Sequence, residues 1–577
     1  MNKIILSQNA QQVASSRYFM DGEDWEKCCI RVADTISSVE TINKEKIRDN
    51  FLETIYNMDF IPAGRILRNC GRPKGSLFNC YHLGITDSIE EIGQCLKDCL
   101  ILWAGGGGVG INFTPLRPKG DIILGKGGFS SGLVSFLEAF DIVANTIECG
   151  GSRRAAAIAH VDVSHPEIIN FIDSKLVHGK LSHFNISVMV NNEFLEAVEK
   201  NDDWEFKFKQ KVYGKQKAKD IWDKIVLNML SCAEPGLINT SNFFKNNSYY
   251  FSPVTGCNPC GEAVLSPSEC CDLGSIVPPN FVTGNINTNW KKLDTVIKTA
   301  VRFLDNVIDV NKYDLKDIDV KVHDIRRIGI GVIGLAEYLF AKKIRYGSEK
   351  AVIEVERLMR FIRDSAYQAS IELSTEKGSF PKFEPIQYGK ASFIRKLPAE
   401  IRMNIKKYGV RNCTLLSVAP TGTISLLCEK TGGVEPLFAK ALLRKDRVSE
   451  RMYIHPKYQE ILKSGEETPE WFVDSFDLTP KDHFEMQVAC QKYCDAAVSK
   501  TINLPSGTTK EQLSDLLLEY LKDLKGTTVY LDGSREGQIL NKVSEEDAKK
   551  YIKNQSEITS SLQEGDVQCA SGSCEIA

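Results

Sequence analysis

Short apolar segments alternate with long amphipathic ones along most of this chain, and that alternation restricts the fold more than any other feature. Asp87 to Trp103 places Ile89, Ile92, Leu96, Leu100 and Trp103 on one side of a helix, and Ser131 to Glu148 does the same with Leu133, Leu137, Phe140, Ala144 and Ile147. Helical periods return at Leu293–Val310, Ala351–Lys377 and Lys481–Ser499. Between them stand strand-like runs at Ile111–Phe113, Ile186–Val190, Leu415–Ala419 and Thr528–Leu531. Strands separated by helices are joined by crossovers, which makes the sheet largely parallel and the class α/β. At 577 residues the chain exceeds one ordinary core, so one large domain with attachments, or two to three domains, is expected.

Composition excludes several functions. A net charge of -3 offers no basic field for a nucleic-acid polymer, although a nucleotide monomer needs only a local pocket. Met1 to Val13 lacks the apolar core and cleavage site of a secretory signal. Cys99 to Ile111, the longest nearly apolar run, contains five glycines and is too short to span a bilayer. The sequence therefore reads as a soluble, cytoplasmic protein without a membrane partner. In that compartment thiols stay reduced unless they are catalytic or bind metal, so 18 cysteines ask for an explanation. The pairs Cys95/Cys99 and Cys490/Cys494 are four apart on helical patterns and read as packing residues.

The chemistry-bearing segment is Cys257-Asn-Pro-Cys-Gly-Glu262, followed by Cys270-Cys-Asp-Leu-Gly274. One reading is a four-thiolate zinc site, giving a zinc-stabilised nucleotide-binding module. Against it, the adjacent Cys270 and Cys271 do not easily both aim at one tetrahedral ion, and no metal site is assigned. The second reading is thiol redox or radical chemistry. In an extended segment Asn258, Cys260 and Glu262 alternate onto one face, combining an amide, a hydrogen-atom donor and a general base.

Asn258-x-Cys260-x-Glu262 resembles the active-site motif of ribonucleotide reductases. Cys271-Asp-Leu-Gly274 is similar to the family's Cys-Asn-Leu-Gly, with Asp272 replacing Asn. Phe60-Ile-Pro-Ala-Gly-Arg65 with Phe78-Asn-Cys80, Gly105–Phe113 with Leu116–Gly120, Ala419–Ser425 and Cys569-Ala-Ser-Gly-Ser-Cys574 resemble further family landmarks, in family order. The resemblance implies a ten-stranded α/β barrel of two parallel five-stranded halves, with Cys260 on a central finger loop. It divides the chain into an N-terminal helical region (1–60), a catalytic barrel (61–550) carrying effector-site and dimer helices at about 87–154, and a flexible redox tail (551–577).

The same resemblance assigns roles. Cys260 becomes the thiyl radical that takes the 3′ hydrogen of the ribose. Glu262 accepts the 3′ hydroxyl proton, and Asn258 hydrogen-bonds the substrate. Cys80 and Cys271 are the reducing pair, and Cys569 with Cys574 shuttle electrons to it from a thioredoxin- or glutaredoxin-type partner. A flexible stretch from Gln555 to Cys569 spans roughly 20 Å, enough to swing into a cleft. Thr421, Gly422, Thr423 and Ser425 hold the substrate phosphates. Asp87, Ser88, Lys126, Arg153 and Arg154 bind a deoxynucleoside triphosphate or ATP effector at a homodimer interface. Cys149 stands where many relatives have Gln, which bears on how the effector base is read.

The radical starter follows from the late segments. Tyr249-Tyr250 precedes Cys260, so it does not match the late tyrosine relay of reductases that use a separate radical-generating subunit. Ser499–Pro505, Tyr530–Arg535 and His483-x-x-Met-Gln487 with Gln491-Lys-Tyr493 resemble the adenosylcobalamin-dependent branch. The alternative is the same subunit driven by a radical-generating partner. The N-terminal stretch resembles no ATP-cone, implying specificity regulation without an overall dATP off-switch. Gly329-Ile-Gly-Val-Ile-Gly334 fits a dinucleotide fingerprint but follows Arg326-Arg327, and reads as a close helix–strand packing site. His160, His165, His178 and His183 have no metal-ligand spacing and read as packing, loop or surface residues.

Overall fold

The structure, a computed structural model, describes residues 4–123, 127–149, 153–177, 179–245, 248, 250–445, 450–531 and 540–553. It is a mixed α/β protein built on a large, mainly parallel sheet. Strands Cys80–Leu83, Gly108–Asn112, Ala157–Asp162, Phe184–Val190 and Gly236–Asn239 run parallel in chain order. Glu269–Cys270 adds antiparallel to the first edge, and Gly526–Leu531 adds antiparallel to the other. Thr501–Leu504 then lies parallel to Gly526–Leu531. A second group pairs Leu273–Ile276 in parallel with Gly329–Val332, with Phe60–Pro62 antiparallel outside it. Parallel bridges Ile330↔Leu416 and Val418↔Val498 continue from that group toward the late strands.

The expected helices form where the periodicity places them. Ile89–Ala104 is capped by the Ser88 hydroxyl, carries Glu90 and Glu91 in its first turn, and buries Ile92, Cys95, Cys99, Leu102 and Trp103. Leu133–Asn145, Trp290–Val310 and Glu349–Lys377 likewise bury apolar faces, the last two capped by the Asn289 and Ser348 side chains. Cys490 and Cys494 are buried.

One helix is shorter than its pattern. The Lys481–Ser499 expectation becomes Pro480–Gln491, opened by a Thr479/Asp482 capping box. Tertiary partners take the remainder. The Asp495 carboxylate accepts from the Leu415 and Leu416 amides, each at 2.8 Å, and the Ala497 amide donates to the Glu262 carbonyl at 2.8 Å. The glycine fingerprint is also resolved, as a strand–strand rather than a helix–strand approach. A Cβ at Gly329 would lie 2.6 Å from Leu273 and Ser417 side chains, and one at Gly331 would lie 2.7 Å from the Ser417 carbonyl. Among the described residues no helix is long and apolar enough to cross a membrane.

Candidate active site

The parallel run has two unlike faces. One carries Tyr81, Leu83, Val109, Ile111, Ala157, Ala159, Phe184 and Ile186, all buried in the main hydrophobic core. The strand register places Cys80, His82, Gly108, Gly110, Ile158, His160, Asn185, Ser187 and Gly236 on the other. That face is small and polar, and it receives a hairpin. Gly256–Cys257 pairs antiparallel with Val264–Leu265, and the turn between them carries Cys260.

Glycine makes the seat. A Cβ on Gly110 would fall 1.9 Å from the Cys257 carbonyl oxygen, and one on Gly256 would fall 2.5 Å from the His82 ring, so neither position tolerates a side chain. His82 is pinned from both nitrogens, to the Gly110 carbonyl at 2.9 Å and the Thr255 hydroxyl at 2.7 Å. The His160 Nε2 lies 3.1 Å from the Cys257 sulfur. Burial holds the His160 pKa down at about 3 and pushes the Cys257 thiol above its ordinary range, so the pair is a neutral thiol and a neutral imidazole. Sequence reading placed His160 among packing residues and did not single out His82. The signal was available: His82 alternates with Cys80 along one strand.

The tip departs from the expected extended segment. Asn258, Pro259, Cys260 and Gly261 form a tight turn closed by Gly261 N–H donating to the Asn258 carbonyl at 3.0 Å, with Gly261 at φ +77°. Asn at the first position, Pro at the second and Gly at the fourth is the signature of such a turn. Cys260 is exposed at its apex, while Asn258 and Glu262 are buried in the two legs. The three residues are gathered by a turn, not by strand alternation. The Asn258 Oδ1 accepts from the Ala263 amide at 2.9 Å. Ser417 Oγ donates to the Glu262 carbonyl at 2.9 Å, anchoring the outgoing leg to the other strand group.

Cys80 and Cys271 meet across the sheet edge. Cys271 N–H donates to the Cys80 carbonyl at 2.9 Å, one rung beyond the Cys270↔Tyr81 pair. Hydrogen-bonded antiparallel partners hold their Cα atoms about 5.5 Å apart, inside the span that a disulfide bridges. Burial raises the Cys271 pKa, and Cys80, Glu262, Cys270 and Cys260 add to the rise in that order, so these groups share one neighbourhood. A methyl placed on Gly108 would touch both the Cys80 sulfur, at 3.4 Å, and Pro259 of the hairpin tip, at 3.0 Å.

Glu262 is electrostatically distinctive. Burial lifts its pKa to about 7, and the Asn258 side chain beside it limits that rise. Its Oε2 and the Asn258 Nδ2 have no hydrogen-bond partner among the described residues. Buried polar atoms left open beside a cavity are what a binding site offers to a ligand. A cavity of about 1130 Å³ reaches the hairpin tip, lined there by Pro259, Cys260 and Gly261 and on the sheet by Ile158, Asn185 and Ser187. Among the described residues no group of three or more His, Cys, Asp or Glu is placed to hold a metal ion.

The other expected site residues are placed as follows. Thr421 has φ +55°, and its hydroxyl accepts from the Gly433 amide at 2.8 Å. Thr423 immediately precedes the short helix Ile424–Cys428 without a side-chain capping bond, and Ser425 Oγ donates to the Gly422 carbonyl at 3.3 Å. The cavity wall beside this loop is formed by Leu426 and Glu429 to Gly432 rather than by Thr421, Gly422, Thr423 or Ser425. Asp87 is held by Arg117 at 2.9 Å, and Ser88 caps the helix that follows. Arg153 and Arg154 form a two-residue strand against Glu148 and Cys149. Lys126, His178, Cys569 and Cys574 lie outside the described residues.

Comparison with known proteins decides the family. Residues 78–530 match the model "Ribonucleotide reductase, barrel domain", and residues 6–75 match "Ribonucleotide reductase, all-alpha domain". The chain belongs to the ribonucleotide reductase family. A relative of this reductase from Thermoplasma acidophilum, named vitamin B12-dependent ribonucleoside-diphosphate reductase, is 34% identical over 91% of this chain and 72% of its own length. A protein of the same name from Mycobacterium tuberculosis is 35% identical over 90% of this chain and 77% of its own length. A ribonucleoside-diphosphate reductase subunit alpha from Chlamydia muridarum is 25% identical over 85% of this chain and 55% of its own length.

Proposed function

We propose that this reductase converts ribonucleoside diphosphates to 2′-deoxyribonucleotides by thiyl-radical chemistry started by adenosylcobalamin. The observation that carries the reading is the convergence of Glu262, Cys80 and Cys271 on one neighbourhood with Cys260, which lines the cavity. The Cys260 sulfur removes the 3′ hydrogen atom of the ribose. Glu262, whose pKa near 7 leaves it able to accept or return a proton at neutral pH, takes the 3′ hydroxyl proton. The free Asn258 amide donates to a substrate hydroxyl. One thiol of the Cys80/Cys271 pair protonates the departing 2′ hydroxyl, which leaves as water. The pair becomes a disulfide, the 2′ carbon gains hydrogen, and the 3′ hydrogen atom returns from Cys260. The two electrons come from the two thiols.

The cavity suits the cofactor. It exceeds the ~300–1,000 Å³ of sites for drug-sized ligands and has both apolar and hydrogen-bonding walls. The chemistry the bound cofactor supplies is one oxidising radical equivalent to the Cys260 thiol. The barrel proposed for the family is consistent with the pairing order, in which Leu273–Ile276, Gly329–Val332, 416–418, 498–504 and Gly526–Leu531 succeed one another in parallel as a second five-membered group. The proposal includes phosphate contacts from Thr421, Gly422, Thr423 and Ser425, and effector contacts from Asp87, Ser88, Lys126, Arg153 and Arg154. It also includes a homodimer through the helices of 87–154, helical 1–60 and barrel 61–550 regions, and re-reduction through Cys569 and Cys574 in the 551–577 tail by a thioredoxin- or glutaredoxin-type protein in the cytoplasm.

The test is turnover of ribonucleoside diphosphate with adenosylcobalamin and a dithiol, without a second protein. Wild-type protein is expected to produce deoxyribonucleotide, and Cys260→Ser to produce none while still binding nucleotide. Turnover retained in Cys260→Ser, or wild-type turnover that requires a second protein, overturns the reading.

A further inference from the structure

A second built feature stands on the cavity wall, on residues outside the hairpin. The Lys500 side chain is 0% exposed, yet its ammonium lies 2.6 Å from Glu435 Oε2. The same nitrogen is 3.0 Å from His483 Nδ1 and donates to the Thr501 carbonyl at 3.2 Å. The other Glu435 oxygen accepts from the Thr501 amide at 2.8 Å. His483 is wholly buried, and burial and then Lys500 hold its pKa far below the ordinary value, so its Nδ1 is an acceptor. Its Nε2 has no partner among the described residues.

A lysine taken fully out of water is costly, and pairing seldom returns that cost as stability. What the arrangement does achieve is positional. The Glu435 carboxylate is gripped from behind at both oxygens, while its side chain stays 30% exposed on the cavity that Cys260 lines. A carboxylate has about four acceptor sites, so capacity remains on the open side. The Glu435 carboxylate itself disfavours an anion. Glu429 lies on the same 429–435 segment of the wall and Glu337 is bound to Thr431 within it, with Lys430 interleaved among these carboxylates. A phosphate set against these carboxylates meets like charge at close range, where burial weakens screening. A neutral group rich in N–H or O–H donors meets fixed acceptors instead.

We propose that Glu435, positioned by Lys500 and the Thr501 amide, accepts hydrogen bonds from the neutral donors of the cofactor. The donors are the carboxamide N–H groups of the corrin rim or the ribose hydroxyls of the adenosyl group. This assignment rests on the cobalamin reading above.

Binding, measured apart from turnover, tests it. Hydroxocobalamin, adenosylcobalamin and ADP are titrated in the dark by absorbance or calorimetry against wild type, Glu435→Ala and the double variant Glu435→Gln/Lys500→Met. The double variant removes both charges, so no unpaired ammonium stays buried. Cobalamin affinity is expected to fall about 10- to 100-fold in both variants, the range for a lost hydrogen bond to a charged acceptor, with ADP affinity kept or raised. An equal loss for both cobalamins identifies the corrin carboxamides, and a loss for adenosylcobalamin alone identifies the ribose hydroxyls. A double variant with wild-type melting behaviour and cobalamin affinity within about twofold of wild type overturns the assignment. Wild-type protein that binds neither cobalamin overturns the underlying reading and the assignment with it.

Discussion

Two buried carboxylates in this molecule have opposite surroundings. Asp305, on the helix Trp290–Val310, accepts from Arg326 at 2.8 Å, Arg411 at 3.1 Å and Asn412 at 3.0 Å. Burial pushes its pKa up, but Arg326 and Arg411 outweigh burial and hold it below the usual carboxylate range. Glu262 is buried as deeply, has among the described residues no cation beside it and one oxygen without a partner, and has a pKa raised to about 7. The first carboxylate is completed by the fold. The second has an oxygen that the described residues leave without a partner. Satisfaction of the buried polar group, more than burial itself, separates structural charge from chemical charge.

The comparison breaks most directly at Glu262. Glu262→Gln preserves shape and removes the proposed base, so turnover is expected to fall about 10²–10⁴-fold with nucleotide affinity little changed. In wild type the activity dependent on the ionised carboxylate rises as pH passes through about 7, and that limb disappears in the variant. A steady-state pH profile with the same limb in Glu262→Gln contradicts the assignment. The sign for stability is the reverse. Because the folded pKa is raised above the ordinary 4.5, the stabilising contribution is present below pH 4.5 and is lost as pH rises toward 7.

Asp305 is expected to behave oppositely. Asp305→Asn removes the anion shared by Arg326 and Arg411 and costs about 3–5 kcal/mol in denaturant titration, with turnover per folded molecule retained. Its pKa is depressed, so its contribution is present above the ordinary 3.8 and lost as pH falls through the folded value. A normal stability with lost turnover inverts the comparison.

Asp272 sharpens it, because it stands between the two. It is buried next to Cys271, neither carboxylate oxygen has a partner among the described residues, and burial followed by Asp305 raises its pKa well above 3.8. Its stability contribution is therefore lost as pH rises. Asp272→Asn is expected to raise stability at pH 8 by about 1–3 kcal/mol and to flatten the alkaline side of the stability profile. An unchanged profile shows the carboxyl to be paired.

The smallest effect concerns the hairpin seat. Cys257→Ala removes the contact to His160 and is expected to cost about 1 kcal/mol, with Cys257→Ser recovering part of it through a hydroxyl. Equal stability of all three proteins shows the 3.1 Å contact to be incidental.

The sequence by itself determined the class and most helices, and its motifs singled out the cysteines, amide and carboxylate that the fold gathers at one hairpin. Apolar periodicity specifies which face of a segment is buried, and Asn258, Pro259 and Gly261 specify their own turn because their backbone preferences are local. It overextended the helix after Pro480, where periodicity persists to Ser499 but Asp495 and Ala497 find better partners on neighbouring strands. It read Asn258, Cys260 and Glu262 as an alternating face when a turn gathers them. Only the tertiary structure decided that Cys271 lies beside Cys80, that His82 and His160 seat the hairpin, and that Lys500 and His483 stand behind Glu435. Those relations join residues far apart in the chain, and a burial pattern carries no information about which distant element fills the space it leaves.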